Sequence, residues 1–293
     1  MTTWWGQFSE ITLVPLFGKH VPMSTALFFQ YTPSGFVIAA DGRSTKEDTL
    51  EIISDSVQKI FQIGGPGRRL GYAMTGALKL GLKDGGTINL ADEAVKAIES
   101  LSKRKTKNIY AFASRMCNAV CRAVSEANRA GKIAQLPIVP QPERIGEKGH
   151  TIIRTVIAGY FEGTPVLVET RISHENGVVR EPEIIHQPLQ ETWMSGVPEV
   201  ARNLFKQEDV IFAAYRPFVP EGRYWTLAET VTIARQFITA CSSTEAVAVN
   251  PQSAKGIGGR ILIATITPHD GFRWVDGHGP LSGQANSSDN SQM

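Results

Sequence analysis

Past residue 24 the apolar positions fall into short runs broken by turn residues. Residues 25–32 (TALFFQYT) and 35–41 (GFVIAAD) are two apolar strands joined at Pro33-Ser34, the pattern of a β-hairpin. Residues 56–63 and 70–75 make a second strand pair around Gly64-Gly65-Pro66-Gly67, a strong turn signal. The period then changes. Over 89–102, with Asn89 as a cap, Ala91, Ala94, Val95 and Ile98 share one helical face; over 108–130, Ile109, Phe112, Met116, Val120 and Val124 do the same. Residues 132–149 hold three prolines and several charges and read as a loop. Strands return at 151–160, 164–172, 178–188 and 192–195, the first two joined by the turn Phe161-Glu162-Gly163. Two helices follow at 197–206 and 226–240, the latter with Thr226 and Glu229 at capping-box spacing. A last hairpin, 258–267 and 272–275, turns at His269-Asp270-Gly271.

Blocks of strands alternating with helix pairs do not suit a doubly wound parallel sheet. They predict an α+β fold, a four-layer αββα sandwich of two stacked antiparallel sheets flanked by helices. No repeat of solenoid period is present. Residues 1–24 read as a leader or propeptide-like segment, 25–276 as one domain, and 277–293, rich in Gly, Ser, Asn and Asp, as a disordered tail.

Composition narrows the function classes. Thirty Lys and Arg nearly cancel 28 Asp and Glu, so no strong field draws the chain to nucleic acid or an anionic membrane, and neither is expected as a partner. No run reaches the roughly 18 apolar residues of a membrane span, and residues 1–24 lack the basic start and apolar core of a secretory signal; a cytoplasmic location is expected. Three cysteines do not make a disulfide framework. Cys117 and Cys121 stand four apart in a helix without two further ligands, and the histidines have no ligand spacing, so no metal or other cofactor is expected.

The segment Thr25-Ala26-Leu27, the stretch 35–45 (GFVIAADGRST) and Gln58-Lys59-Ile60 together resemble the opening of proteasome β subunits, of the N-terminal nucleophile hydrolase superfamily and bacterial proteasome homologue type. Thr25, Gly35 and Asp41 reproduce the family spacing of ten and sixteen residues, and Lys59-Ile60 matches the family's lysine after a loop about two residues longer than its usual one. The element order follows the family over 25–275.

The resemblance implies a threonine-type peptidase that cleaves extended peptides, with Thr25 as nucleophile once residues 1–24 are removed. A hydroxyl is a poor nucleophile until a base takes its proton. A chain-terminal threonine supplies that base itself, because its α-amine titrates at about 7.7–8.0. Lys59 would favour the deprotonated forms beside it, and Asp41 would hold Lys59. By family analogy, the Gly76 N–H would receive the oxyanion, the Thr45 backbone would bind the peptide as an added strand, Met74 would line the substrate pocket, and Ser195 would hydrogen-bond near the terminal amine. The implied partners are peptide or unfolded protein, further copies of the chain in a homo-oligomeric ring, and an ATPase unfoldase.

Several features depart from the family or leave a choice. Ser24 stands where the family has glycine, and if translation began at Met23, Ser24 itself would be exposed. Lys46 competes with Lys59, and Ser195 also reads as a helix cap. The family's aspartate is absent from the turn Ala254-Lys255-Gly256-Ile257-Gly258-Gly259, leaving Ser253 or Asn250 to substitute, and the segment 78–88 is longer than the family's. A catalytically inactive ring or scaffold subunit, or a small-molecule amidase, are the alternative functions.

Overall fold

The structure, a computed structural model, describes residues 25–45, 50–64, 68–102, 106, 108–137, 149–206, 211–216 and 224–279. Strands β1 (Leu27–Thr32) and β2 (Gly35–Asp41) form the expected hairpin, in register from Leu27 opposite Ala40 to Thr32 opposite Gly35. A small ribbon of β3 (Ser44–Thr45) and β4 (Ile52–Ser54) follows, then the paired β5 (Ile60–Ile63) and β6 (Arg68–Gly76). A second ribbon, β7 (Lys79–Gly81) and β8 (Thr87–Asn89), leads into α1 (Leu90–Ser102) and α2 (Ile109–Arg129). Next come β9 (His150–Phe161), β10 (Thr164–Glu175), β11 (Val178–Val179), β12 (Glu183–His186) and β13 (Trp193–Ser195). Helices α3 (Pro198–Lys206), α4 (Leu227–Cys241), α5 (Thr244–Val249) and α6 (Pro251–Ala254) precede the closing hairpin, β14 (Ile261–Thr267) and β15 (Gly271–Trp274).

Two antiparallel sheets result. The first runs β13-β1-β2-β14-β15; the second runs β11-β10-β9-β6-β5, with β12 also paired to β10. Alternation along the strands divides the apolar side chains between their faces. Leu27, Phe29, Phe36, Ile38, Ile60, Ala73, Val156, Leu167 and Ile266 meet between the sheets. Phe28, Val37, Ala39 and Ile263 point outward onto α3 and α4, while Leu70, Tyr72, Met74 and Ile157 point outward onto α1 and α2. Both faces of the central strands are therefore buried, and β2 is buried at every position. The α+β four-layer sandwich expected from the block order is the architecture present. No helix among the described residues is long and apolar enough to cross a membrane.

Local departures have local causes. The run 178–188 is two short strands rather than one, parted where Pro182 has no N–H to give a ladder. The strand expected at 56–63 begins only at Ile60. The ribbons at 44–54 and 79–89, and helices α5 and α6, lie where no element was expected. Residues 1–24, including Ser24 and Met23, fall outside the described residues, as do Lys46 and positions beyond 279. Of the stretch expected to form a disordered tail, 277–279 are described and pack on β14: His278 accepts from the Ile263 N–H through its carbonyl, and its ring nitrogens meet the Ile261 carbonyl and the Arg235 side chain.

Candidate active site

The hairpin brings the beginning of β1 back to the end of β2. One residue beyond the Leu27–Ala40 pair, Asp41 N–H donates to the Ala26 carbonyl at 3.1 Å, and Ala26 N–H donates to Asp41 Oδ1 at 2.9 Å. Thr25 and Asp41 thus share one end of the first sheet. Lys59 comes from the second. Its carbonyl accepts from Met74 N–H, which extends the β5–β6 ladder one residue before Ile60 and ends it there. From that position Lys59 Nζ reaches across to Asp41 Oδ1 at 2.9 Å and to Thr25 Oγ1 at 3.3 Å.

All three side chains are buried: Thr25 is 8% exposed, Lys59 2% and Asp41 0%. Four donors converge on the carboxylate, since its Oδ2 also accepts from Arg43 N–H at 3.1 Å and Gly258 N–H at 3.2 Å. That set fits the acceptor capacity of an ionised Asp. Burial pushes the Lys59 ammonium below the usual lysine range; the Asp41 charge opposes the shift, and Arg43 adds to it. The result is a cation of weakened proton affinity against a hydroxyl, fixed by a saturated carboxylate.

Gly76 closes β6. Its φ is +101°, and a side chain there would place Cβ 2.6 Å from the Ile152 carbonyl, so the close approach to β9 requires glycine. Ala77 N–H turns to that carbonyl, whereas Met74 N–H turns the other way, to Lys59. Alternation puts Gly76 N–H on the Met74 side, toward the end of β5 where Lys59 sits.

The remaining expected residues are more scattered. Thr45 is half-buried in β3, opposite Ile52 of the small ribbon. Met74 is 1% exposed, and its side chain packs into the core under α1 and α2. Ser195 ends β13 opposite Leu27, which sets it on the strand beside Thr25; it is half-buried and does not cap α3, whose first residue is Pro198. Asn250 is engaged elsewhere: it caps α6 through Ser253 N–H and donates to Glu199. The buried Ser253 hydroxyl has no hydrogen-bond partner among the described residues.

Contacts not anticipated from the sequence are the Ala26 and Gly258 N–H donors and the Arg43–Asp55 ion pair, Nε to Oδ1 at 2.7 Å. The two glycines at 258–259 were the available signal for the second of these. Burial pushes the Cys117 and Cys241 thiols up to about 12 and raises that of Cys121, so none of the three is poised as a thiolate. Among the described residues no three His, Cys, Asp or Glu side chains are grouped so as to hold a metal.

No family model matches the chain, and no curated protein matches it. Among solved structures it is similar to the Anbu (Gly-1) mutant from Hyphomicrobium sp. strain MC1, at 15% identity and a TM-score of 0.47, over 87% of this chain and 89% of that one. These findings correct the resemblance drawn from the opening residues: with no family model matched and identity this low, the chain is not assigned to the proteasome β-subunit family, and the architecture and the geometry around Thr25 stand on their own.

Proposed function

We propose that the chain is a threonine-type amide hydrolase that cleaves extended peptides, with Thr25 as nucleophile when it is the first residue of the chain. One observation carries this: a buried lysine from one sheet meets both the Thr25 hydroxyl and the Asp41 carboxylate of the other. An apolar or neutral hydrogen-bonded pair would be the less demanding way to fill that space, because a desolvated charge pair rarely adds net stability.

In this scheme the freed α-amine of Thr25 takes the proton from Oγ1, and Oγ1 bonds to the substrate carbonyl carbon. The carbonyl oxygen becomes an oxyanion received by Gly76 N–H. The C–N bond breaks as the amine returns the proton to the leaving nitrogen. Water, deprotonated by the same amine, then cleaves the Thr25 ester and restores the hydroxyl. The Lys59 cation lowers the proton affinity of the amine and the hydroxyl, so that the amine stays free as base and Oγ1 gives up its proton more readily, and Asp41 fixes Lys59. Thr45 would pair with substrate backbone along β3, and Ser195 would border the amine from β13.

Intact mass followed by hydrolysis of fluorogenic peptides tests this. A chain that begins at Thr25 should turn over, and Thr25→Ala should lose about a thousandfold or more in kcat with its folded mass and melting unchanged. Equal turnover by Thr25→Ala refutes the nucleophile. An unprocessed, inert chain supports the scaffold alternative, and cleavage of small amides but not peptides supports an amidase. The proposal extends to a homo-oligomeric ring served by an ATPase unfoldase, which native mass measurement and unfolded-protein degradation with and without ATPase would test.

A further inference from the structure

Three chain segments close around Asp41, and one side chain runs through all of them. Gly42 N–H donates to the Gly258 carbonyl, and the Gly42 carbonyl accepts from Val57 N–H. The Asp55 carbonyl accepts from Arg260 N–H at 2.7 Å. Gly259, at φ +71°, lies so close that a Cβ would sit 2.4 Å from that same carbonyl. Across this knot lies the Arg43 side chain. Its Nε donates to Asp55 Oδ1 at 2.7 Å, one terminal nitrogen reaches the Ile257 carbonyl at 3.4 Å, and the guanidinium covers Gly258, where a side chain would meet it at 2.7 Å.

We propose that Arg43 and Asp55 form a clasp that holds the Gly258 turn against Asp41, and so sets the position and the charge environment of Lys59. Within the hydrolase reading, on which the role depends, both are positioning residues: neither touches the reacting atoms. The turn at 254–259 holds no acidic side chain of its own, and Asn250 is committed to Glu199. Asp55 brings the carboxylate from the residue just after β4. Arg43 also links the site to the substrate edge, since it lies midway between Asp41 and Thr45.

The charged groups around Lys59 make the test specific. Asp41 favours its ammonium, and Arg43 disfavours it. Arg43→Met removes a repelling charge and should raise the Lys59 pKa. Asp55→Asn leaves Arg43 in place but uncompensated and should lower it. Opposite shifts from the two halves of one ion pair are not expected of residues that only stabilise the fold.

Competitive labelling of amines in the full chain with trace acetic anhydride across pH, followed by peptide mass analysis, reads Lys59 directly and needs no turnover. The pH profile of peptide hydrolysis reads it a second time, and Asp55→Asn should cut kcat by about threefold to fivefold, the size expected of a partly exposed pair. Shifts of the same sign, or none, with melting lowered in both variants, overturn the clasp as a positioning device. Opposite labelling shifts in a chain that hydrolyses no peptide keep the clasp and sink the hydrolase reading instead.

Discussion

Lys59 carries a charge where solvent cannot stabilise it, so its surroundings must. Removing it leaves Asp41 buried with three N–H donors and no cation. Breaking a buried pair from one side typically costs about 3–5 kcal/mol; with those donors retained, Lys59→Met should lose about 3 kcal/mol in urea unfolding. Asp41→Asn itself turns an amide donor toward backbone N–H groups, so the double variant Lys59→Met/Asp41→Asn should lose less than the sum of the two single losses, whereas additive losses would mean the two side chains are energetically independent. The pH dependence has a definite sign. Burial lowers the Lys59 pKa below its unfolded value. Between the two values the unfolded chain binds the proton that the folded chain has released, so this group's contribution to stability rises with pH through that window. Below the folded value its desolvation penalty is fully present. Stability measured from neutral to alkaline pH should therefore rise more, or fall less, in the wild type than in Lys59→Met, and parallel curves would contradict a depressed pKa.

The sheet that carries Thr25 and Asp41 is backed by α4, whose start is tied by a reciprocal cap. Thr226 Oγ1 accepts from Glu229 N–H, and Glu229 Oε2 accepts from Thr226 N–H. Thr226→Ala should cost about 1 kcal/mol, or about 2–4 °C in melting for a chain of this size, with peptide cleavage at lower temperature unchanged. This element was legible because the cap and a helical period sustained over fifteen residues reinforce each other. The central strands of both sheets were equally plain, since burial on both faces writes itself into the sequence as apolar runs, whereas the exposed or half-buried β11 and β12 at the edge merged into one expected strand. What escaped was short or exposed. The ribbons β3–β4 and β7–β8 have strands of two or three residues with mostly exposed or half-buried side chains, and α5 and α6 span six and four residues, too few for a period to show. At the site, Thr25 and Asp41 could be placed together by hairpin geometry alone. Lys59, 34 residues from Thr25 in sequence, could be attached only through a spacing resemblance, because no local pattern encodes a contact between sheets. The Arg43–Asp55 pair gave no signal, as two charges at strand ends are ordinary.

At the scale of the molecule, the candidate site exists only if two sheets stop at the right offset. Thr25 and Asp41 belong to one, Lys59 and Gly76 to the other. The apolar layer between them gives cohesion but little direction, since burial energy scarcely depends on sliding. Direction comes from polar bonds that cross the gap. Besides Lys59, the described residues hold one such crossing at Glu169 of β10. Its Oε2 accepts from Trp193 Nε1 of β13 at 3.0 Å and from Gln187 Nε2 at 2.7 Å, and Arg154 Nε lies 3.5 Å from Oε1. Trp193 in turn packs edge-on against Phe29 of β1, the strand that Thr25 precedes. Trp193→Phe keeps an aromatic ring against Phe29 but removes the donor together with part of the buried indole, so it should cost at least about 1–3 kcal/mol. Glu169→Leu takes the carboxylate from Trp193, Gln187 and Arg154 together and should cost more. If these bonds fix the offset, both variants should also lower kcat for peptide hydrolysis when assayed well below their melting temperatures, in the same order as their stability losses. Full kcat in a clearly destabilised Glu169→Leu would show that the apolar layer and the Lys59 contacts suffice to hold the two halves of the site together.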